Sequence, residues 1–364
     1  MTRYNNPEGI PNANRLAALM HPARQEMVIA DVVKASCDMT EYVFKAADGH
    51  ELAYFNAGCY IPVYVEIDGN LVERPYSLCS SPKQSTEGIY AICVKAADGG
   101  YISNFIHQNW KVGTKVTLGA PFAAECYDPN RDAKNVIALA GGSGVTPFLS
   151  MAQAIIDGDV DCNLTLIYGV NKEDEIIFKD TWAALEERAA GKFKFVSVVA
   201  NEDVEGSERG FITLDIVKKY CDISQASFFV SGPPAMVDAV KAFLASLGVR
   251  RKYLRVSMGG DSTFNSGHKD EAEYDLTVHM AGETCAVKAK AGETVLVALE
   301  RSGLKPAARC RSGKCGFCRA MVISGDYKLA DVEDGVRRED KALGFIHPCC
   351  SYPVSDMEIV VHRA

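Results

Sequence analysis

Residues 309–318 read Arg-Cys-Arg-Ser-Gly-Lys-Cys-Gly-Phe-Cys, a short segment that contains three thiols. Its three cysteines have a C-x4-C-x2-C spacing: Cys310, Cys315 and Cys318. With this spacing one loop supplies three thiolates to a 2Fe-2S cluster and a distant segment supplies the fourth. Two further cysteines, Cys349 and Cys350, follow near the end of the chain. The stretch therefore predicts an iron–sulfur site.

The glycines of the loop fit the same prediction. Gly313 and Gly316 can adopt positive φ, which brings backbone N–H groups close to sulfur and offsets its negative charge. Residues from about 272 to 364 resemble a plant-type ferredoxin domain, including the ending Cys349-x-x-Tyr352-Pro353. The resemblance implies that Cys349 is the fourth ligand and that Cys350 is not one. A zinc site and unligated thiols are the alternatives, but zinc favours two C-x2-C pairs, which are absent.

Composition limits the remaining possibilities. A chain of 364 residues with 48% apolar residues is long enough for two or three domains with cores. The net charge of −8 and the lack of a long basic run argue against nucleic-acid binding. The thirteen cysteines are odd in number and mostly scattered, which favours reduced thiols in a cytoplasmic protein. The first residues do not resemble a secretory signal.

One uncharged segment could be mistaken for a membrane span. Residues 135–156 carry no charge, but a Gly-Gly-Ser-Gly run and a Thr-Pro pair interrupt them. We expect a buried strand, a glycine turn and an apolar helix, and no membrane span.

The first half of the chain has the pattern of an antiparallel barrel. After an extension at residues 1–27, for which no function is predicted, short β-type runs alternate with turn signals as far as residue 130. Inside this region lies Arg74-Pro75-Tyr76-Ser77. A flavin needs an aromatic contact for its ring, a donor for N5 and a cation for its phosphates, and these residues supply all three types.

A second flavin motif follows. Gly100 opens a predicted helix whose N–H groups, together with the Ser103 hydroxyl, are suited to a pyrophosphate. The two motifs in this order resemble the R-x-Y-S and G-x-x-S signatures of the ferredoxin–NADP reductase superfamily. The resemblance implies FAD, although relatives with FMN share both motifs. We expect His107, on the same helix, to pack rather than to catalyse.

Residues 131–258 alternate apolar strands with helices, which predicts an α/β doubly wound parallel sheet. Its first strand leads into a glycine turn that is suited to a dinucleotide pyrophosphate, with Thr146 as a predicted N-cap and Pro147 as the first helical residue. The superfamily has G-G-x-G-x-T-P here and C-G-P near the last strand. The matching residues are Gly141, Gly142, Gly144, Thr146, Pro147, Gly232 and Pro233.

Two serines are predicted to act next to the reacting rings. Ser77 would face the flavin N5 edge. Ser231 replaces the family cysteine beside the nicotinamide, and its hydroxyl can still form a hydrogen bond, so hydride transfer should survive. NADPH-selective relatives place Ser and Arg after the second strand, where this chain has Gly169 and Asn171 with Lys172 as the nearest cation. Of NADH and NADPH, we favour NADH.

The remaining segments complete the domain prediction. Residues 259–271 are polar and glycine-containing, as in a linker, and residues 272–364 have the strand and helix pattern of a small β-grasp domain. Four cations flank the cluster loop: Arg309, Arg311, Lys314 and Arg319. We hypothesise that they form a docking face for an acidic redox partner and raise the cluster potential above about −400 mV.

From about residue 28 the chain resembles reductases that carry flavin, nicotinamide and C-terminal ferredoxin modules. The resemblance implies electron transfer from NAD(P)H through flavin and 2Fe-2S to a partner protein such as an oxygenase or hydroxylase. One alternative is a non-catalytic electron-transfer subunit, as in dihydroorotate dehydrogenase. The other is the reductase half of a flavohaemoprotein, although no globin-like region precedes the barrel.

Overall fold

A computed structural model of the chain describes residues 21–22, 24–67, 69–97, 100–122, 126–258, 272–330 and 335–362. The predicted linker at 259–271 and most of the predicted extension at 1–27 lie outside these residues. The chain divides into two compact units. The first comprises Met1–Val63 and Tyr76–Met258, and the second comprises Tyr64–Pro75 and Gly259–Ala364.

The flavin region forms a six-stranded sheet with the order β4-β3-β6-β1-β2-β5. Its strands are β1 (Gln25–Lys34), β2 (Met39–Ala46), β3 (Tyr60–Ile67), β4 (Asn70–Ser77), β5 (Ile89–Lys95) and β6 (Lys115–Leu118), and its helices are α1 (Pro82–Thr86) and α2 (Tyr101–Asn109). An antiparallel bridge between Leu78, just after β4, and Ile92 of β5 joins the two edge strands. Because the edges meet, the sheet closes, and the predicted antiparallel barrel is confirmed.

The barrel strands bury alternate residues, as a strand with one face on a core must. In β1 the buried positions include Met27 and Ile29, while the residue between them is half-buried. A bulge between Ile29 and Asp31 shifts the register of β1 against β2 and bends the sheet.

The nucleotide region forms a second six-stranded sheet with the order β10-β9-β8-β7-β11-β12, parallel throughout. Its strands are β7 (Asn135–Gly141), β8 (Asn163–Val170), β9 (Phe193–Val199), β10 (Glu208–Arg209), β11 (Ala226–Gly232) and β12 (Leu254–Met258). Its helices are α3 (Thr146–Asp157), α4 (Lys179–Arg188), α5 (Leu214–Tyr220) and α6 (Pro234–Ser246).

The strand order of this sheet reverses between β7 and β11, because β8 and β9 extend it on one side and β12 on the other. Ligands of doubly wound sheets bind at the carboxyl ends of the strands at such a reversal. The glycine turn follows β7 and Ser231 lies at the end of β11, so both predicted nucleotide motifs lie at this point. The uncharged residues 135–156 form the expected strand, turn and helix.

The second unit contains a mixed five-stranded sheet with the order β14-β13-β19-β15-β17 and a two-stranded sheet of β16 and β18. Its strands are β13 (Glu273–Met280), β14 (Glu283–Lys290), β15 (Ala320–Ser324), β16 (Tyr327–Leu329), β17 (Phe345–Ile346), β18 (Ser351–Pro353) and β19 (Met357–Val361), and its helices are α7 (Val295–Arg301) and α8 (Arg338–Ala342). Helix α7 packs on the sheet through buried Val295, Ala298 and Leu299. This arrangement confirms the predicted β-grasp domain.

Across the part of the chain that the structure describes, no helix combines the length and the apolar character that crossing a membrane requires.

Candidate functional site

The loop after α7 directs backbone N–H groups at the cysteine sulfurs. The N–H groups of Ser312 and Cys315 donate to Cys310 Sγ at 3.4 Å each, and Gly313 N–H donates to Cys349 Sγ at 3.3 Å. Phe317 N–H donates to Cys315 Sγ at 3.4 Å. Such N–H groups stabilise thiolates and the negative charge of a cluster.

Positive φ angles make this loop geometry possible. Gly313 has φ of 74° and Gly316 has φ of 72°, a region that side chains disfavour. A Cβ at Gly316 would also lie 3.5 Å from His347 Nε2, whose ring is packed against the loop. The two glycines therefore have the conformational role that the sequence indicated.

The thiols of the four predicted ligands interact with one another. Cys310 interacts with Cys315 and Cys318 with Cys349, and Cys349 also interacts with the adjacent Cys350. The bond with Cys315 lowers the pKa of the Cys310 thiol to about 4, and N–H groups act in the same direction. A plant-type 2Fe-2S cluster takes four cysteine thiolates, so the donor set fits that cofactor.

His347 holds the ligand loop through a hydrogen bond to its backbone. Its Nδ1–H donates to the Gly313 carbonyl at 2.8 Å, and the ring is buried. Cys350 is also buried, and its S–H donates to the His347 carbonyl at 3.4 Å. Cys350 is thus held by a neighbouring carbonyl, in keeping with its predicted exclusion from the ligand set.

One of the four loop cations cannot belong to a docking face. The Arg311 side chain is only 1% exposed and forms two hydrogen bonds with Glu300, at 2.7 and 2.9 Å. Glu300 also accepts from Arg74 Nη1 at 3.2 Å. The hypothesis of a four-cation surface is therefore wrong for Arg311, because its charge is neutralised inside the second unit. In the same region burial raises the pKa of Glu73 to about 7, against the opposing charge of Arg311.

The other loop cations lie nearer the surface. The Arg309 guanidinium is 3.8 Å from the ring centroid of Phe317, a side chain that is 42% exposed. Arg319 stacks on Phe345 at 4.1 Å and pairs with Asp340 at 3.1 Å. Lys314 is exposed beside Cys315. Arg309 and Lys314 therefore remain candidates for contact with a partner.

The predicted flavin residues lie at strand and helix ends of the barrel. Tyr76 and Ser77 are the last two residues of β4 and are half-buried. Gly100 is the N-cap of α2, and a Cβ there would lie 2.3 Å from the Ser103 hydroxyl oxygen. Glycine therefore leaves room for this position of the Ser103 hydroxyl at the N-terminus of the helix, where N–H groups favour an anion.

His107, also on α2, packs as expected. Its ring lies 6.2 Å from that of Tyr42, and Nδ1 is 3.5 Å from the Tyr42 hydroxyl. Burial lowers the pKa of His107.

The glycine turn packs directly against the end of β11. A Cβ at Gly144 would lie 2.3 Å from the Ser231 carbonyl oxygen, and one at Gly232 would lie 3.0 Å from the Gly141 nitrogen. A Cβ at Gly141 would meet Pro233 Cδ at 2.9 Å. The structure thereby brings together two motifs that are far apart in sequence, and glycine is what allows their backbones to touch.

The start of α3 differs from the prediction by one residue. The helix begins at Thr146 with Val145 as its N-cap, so Pro147 is the second helical residue. The Thr146 hydroxyl donates to the Ser143 carbonyl at 3.0 Å instead of accepting an amide. The intervening 3-10 turn at Gly142–Val145 carries the chain into the helix, which is why Thr146 is not the cap.

Two features of the predicted nucleotide site were not recognised from the sequence motifs: a lysine beside the glycine turn and two carboxylates after β8. Lys95 Nζ would lie 3.9 Å from a Cβ at Gly142, so the last residue of β5 brings a cation to the glycine turn. At the end of β8, Asn171 N–H donates to a Glu175 carboxylate oxygen at 2.9 Å, and Glu173 N–H donates to Glu202 at 2.8 Å. Two carboxylates, those of Glu175 and Glu202, therefore lie in or beside the segment after β8, where the sequence predicts contact with the adenosine ribose.

Three protein-family profiles match successive parts of the chain. They describe an oxidoreductase FAD-binding domain over residues 26–127, an oxidoreductase NAD-binding domain over 138–242, and a 2Fe-2S iron–sulfur cluster binding domain over 278–354. The cofactors of the chain are therefore FAD, NADH or NADPH, and a 2Fe-2S cluster.

Similar proteins match over nearly the whole chain. The glycine betaine monooxygenase reductase subunit of Chromohalobacter salexigens is 26% identical, covering 92% of this chain and 95% of the relative. The ferredoxin reductase component of 3-ketosteroid-9-alpha-monooxygenase from Mycobacterium tuberculosis is 29% identical, covering 91% and 94%. The fold is similar to that of a phthalate dioxygenase reductase, with TM-score 0.69, 22% identity, and coverage of 93% and 98%.

Proposed function

We propose that this chain, a reductase of the ferredoxin–NADP reductase superfamily with a C-terminal plant-type 2Fe-2S domain, delivers electrons from NADH to the oxygenase of a multicomponent system. The similar proteins named as monooxygenase reductase components support this partner class, since they match over more than nine-tenths of the chain. The observation that carries most weight is the set of backbone N–H groups that donate to the sulfurs of Cys310, Cys315 and Cys349.

The nucleotide and flavin residues would position the reactants. FAD, when bound, supplies the step from two-electron to one-electron chemistry. The turn from Gly141 to Gly144 offers its backbone and the start of α3 to the nicotinamide dinucleotide, and Ser231 lies beside it. Tyr76 would contact the flavin ring and Ser77 would donate to its N5 edge. Gly100 and Ser103 would hold its pyrophosphate.

The second unit would provide the electron exit. Cys310, Cys315, Cys318 and Cys349 are the proposed ligands of the cluster. His347 fixes the ligand loop through the Gly313 carbonyl, and Cys315 is the ligand that reaches the surface. We also propose that the protein works in the cytoplasm, because its odd number of scattered cysteines fits a reducing compartment.

The purified holoprotein tests this function without its partner. We expect NADH-dependent reduction of ferricyanide and of cytochrome c, because the chain contains every group on the path. Failure to oxidise NADH with either acceptor, in protein that holds both flavin and cluster, would identify a non-catalytic subunit instead. If the holoprotein does reduce these acceptors, co-purification with an oxygenase would identify its natural acceptor.

NADH should be preferred to NADPH by about tenfold or more in kcat/KM, since one like-charge contact near a protein surface exceeds the 1.4 kcal/mol that this ratio needs. The carboxylates of Glu175 and Glu202 accept from backbone N–H groups just after β8, the segment expected to contact the adenosine ribose, and a carboxylate can accept from a ribose hydroxyl. Steady-state kinetics with both nucleotides would measure the ratio. In an Asn171→Arg, Glu175→Gln variant the ratio of kcat/KM for NADH to that for NADPH should be smaller. A preference of the wild type for NADPH would refute the assignment.

Reversing the charges of Arg309 and Lys314 should slow electron delivery to an acidic partner by about tenfold at low salt, because complementary charge mainly accelerates association. The rate should also become less sensitive to salt. Stopped-flow reduction of the partner by the Arg309→Glu, Lys314→Glu variant would measure this effect. Lys218→Glu serves as a control, since it reverses the charge of one exposed residue of α5, far along the chain from the cluster loop. Equal rates for wild type and the double variant would exclude these cations from docking.

A further inference from the structure

Two cysteines of the first unit lie almost within bonding distance of each other. Cys59 immediately precedes β3, Cys126 lies between β6 and β7, and their Sγ atoms are 3.6 Å apart. A disulfide needs about 2.05 Å, so the sulfurs must approach by roughly 1.5 Å. Cys126 is outside any regular strand, and its S–H also lies 3.7 Å from the Asn56 carbonyl. A small rearrangement of a non-strand segment could therefore close the gap.

The two thiols differ in their access to solvent. Cys59 is only 4% exposed, whereas Cys126 is half-buried and reachable from solvent. The hydrogen bond with Cys126 and burial both raise the pKa of the Cys59 thiol. An oxidant in solution therefore reaches the Cys126 sulfur first. An accessible thiol beside a buried second thiol is the arrangement in which the second thiol resolves the oxidised form of the first.

A second sulfur pair in the same unit lacks these properties. Cys79 and Cys93 are 3.8 Å apart, but both are buried. Cys93 is fixed within β5, and Cys79 donates to a Glu41 carboxylate oxygen at 3.5 Å. Burial is the main cause that raises the pKa of Cys79. Proximity alone therefore does not distinguish the pairs, whereas access to solvent and a position outside the strands do.

We propose that Cys59 and Cys126 form a reversible disulfide when the protein meets a hydroperoxide. The Cys126 thiolate attacks one peroxide oxygen, an S–O bond forms, the O–O bond breaks, and the leaving oxygen takes a proton to become water or an alcohol. Cys59 sulfur then attacks Cys126 sulfur, forming the S–S bond and releasing the sulfenic oxygen as water. The two thiols lose two electrons and two protons, and the hydroperoxide gains both.

The bond would restrain the flavin-binding half of the chain. Cys59 and Cys126 are 67 residues apart in sequence. The segment that they enclose contains Tyr76, Ser77, Gly100 and Ser103. Because a disulfide that closes a long loop lowers the entropy of the unfolded chain, the oxidised form should melt at a higher temperature and release flavin more slowly.

Differential alkylation of the holoprotein tests the proposal. Protein reduced with dithiothreitol is desalted, titrated with hydrogen peroxide, alkylated and analysed by peptide mass spectrometry. We expect the Cys59–Cys126 cross-link to exceed any Cys79–Cys93 cross-link by about tenfold, reflecting the difference in thiol access. Dithiothreitol should reverse it. In Cys59→Ser, dimedone should label Cys126, because no second thiol resolves the sulfenic acid, and in Cys126→Ser it should not label Cys59.

The Cys79→Ser variant is the matched control, since it removes a thiol of the other pair and should leave the cross-link and its thermal shift intact. Flavin fluorescence during heating gives the second measurement. The proposal is overturned by peroxide treatment that leaves Cys126 unmodified, or by oxidation of Cys126 beyond the sulfenic acid without a cross-link in the wild type. It is equally overturned by a cross-linked protein whose melting temperature and flavin release are unchanged.

Discussion

Replacing Cys349 with serine should give a protein that still oxidises NADH with ferricyanide but no longer reduces cytochrome c. Serine supplies a hard, shorter oxygen ligand where iron–sulfur chemistry selects a thiolate. Cys349 is buried, and Gly313 N–H donates to its sulfur, as expected for the fourth ligand. We expect cytochrome c reduction to fall by at least about 100-fold, the upper end of the losses seen for outer-shell changes at metal sites.

The paramagnetic signal after dithionite treatment measures the cluster directly, and it should disappear in Cys349→Ser. Cys350→Ser is a close control, because it changes the adjacent and equally buried cysteine. Its hydroxyl can still donate to the His347 carbonyl, as the thiol does at 3.4 Å. We therefore expect Cys350→Ser to keep the signal. The reverse result, with the signal lost only in Cys350→Ser, would show that the fourth ligand has been assigned to the wrong cysteine.

The parts of the site that the sequence predicted are those in which local spacing sets the geometry. The loop from Cys310 to Cys318 contains three of the proposed ligands within nine residues, so its spacing alone indicated the chemistry. The glycine turn after β7 was recognisable for the same reason, because strand, turn and helix follow each other directly. The spacing of apolar residues along the strands and helices likewise predicted the barrel, the parallel sheet and the β-grasp domain.

The parts that the sequence did not predict depend on residues that meet only after folding. Glu300 and Arg74 are 226 positions apart, and His347 and Gly313 are 34 apart, so no window of sequence links them. Arg311 was assigned to the docking face because it flanks the cluster loop, yet a buried carboxylate pairs with it. The prediction of Thr146 as the N-cap was wrong by one residue, because a short 3-10 turn precedes the helix and the helix begins at Thr146 itself.

Removing the Glu300 carboxylate should destabilise the second unit more than any other charge substitution we consider. Glu300 is 6% exposed and lies between two guanidiniums, those of Arg311 and Arg74. Removing one side of a buried ion pair leaves the opposite charge poorly compensated and typically costs about 3–5 kcal/mol. Arg311 also has φ of 52°, which a non-glycine residue adopts only when its surroundings hold it there. The Glu300→Ala variant should therefore lose its cluster at much lower urea concentrations than the wild type.

Loss of the visible cluster absorbance and release of flavin fluorescence, followed in the same urea titration, would locate the effect. We expect the cluster transition to move and the flavin transition to move less, because most Glu300 contacts lie beside the ligand loop. Asp275→Ala is the control, since its pair with Lys288 is exposed on both sides and should contribute at most about 1 kcal/mol. In the milder Glu300→Gln variant the midpoint potential of the cluster should rise, because a negative charge near the reduced cluster has been removed. A Glu300→Ala protein as stable as Asp275→Ala would mean that Arg311 finds another partner and that the carboxylate does not hold the ligand loop.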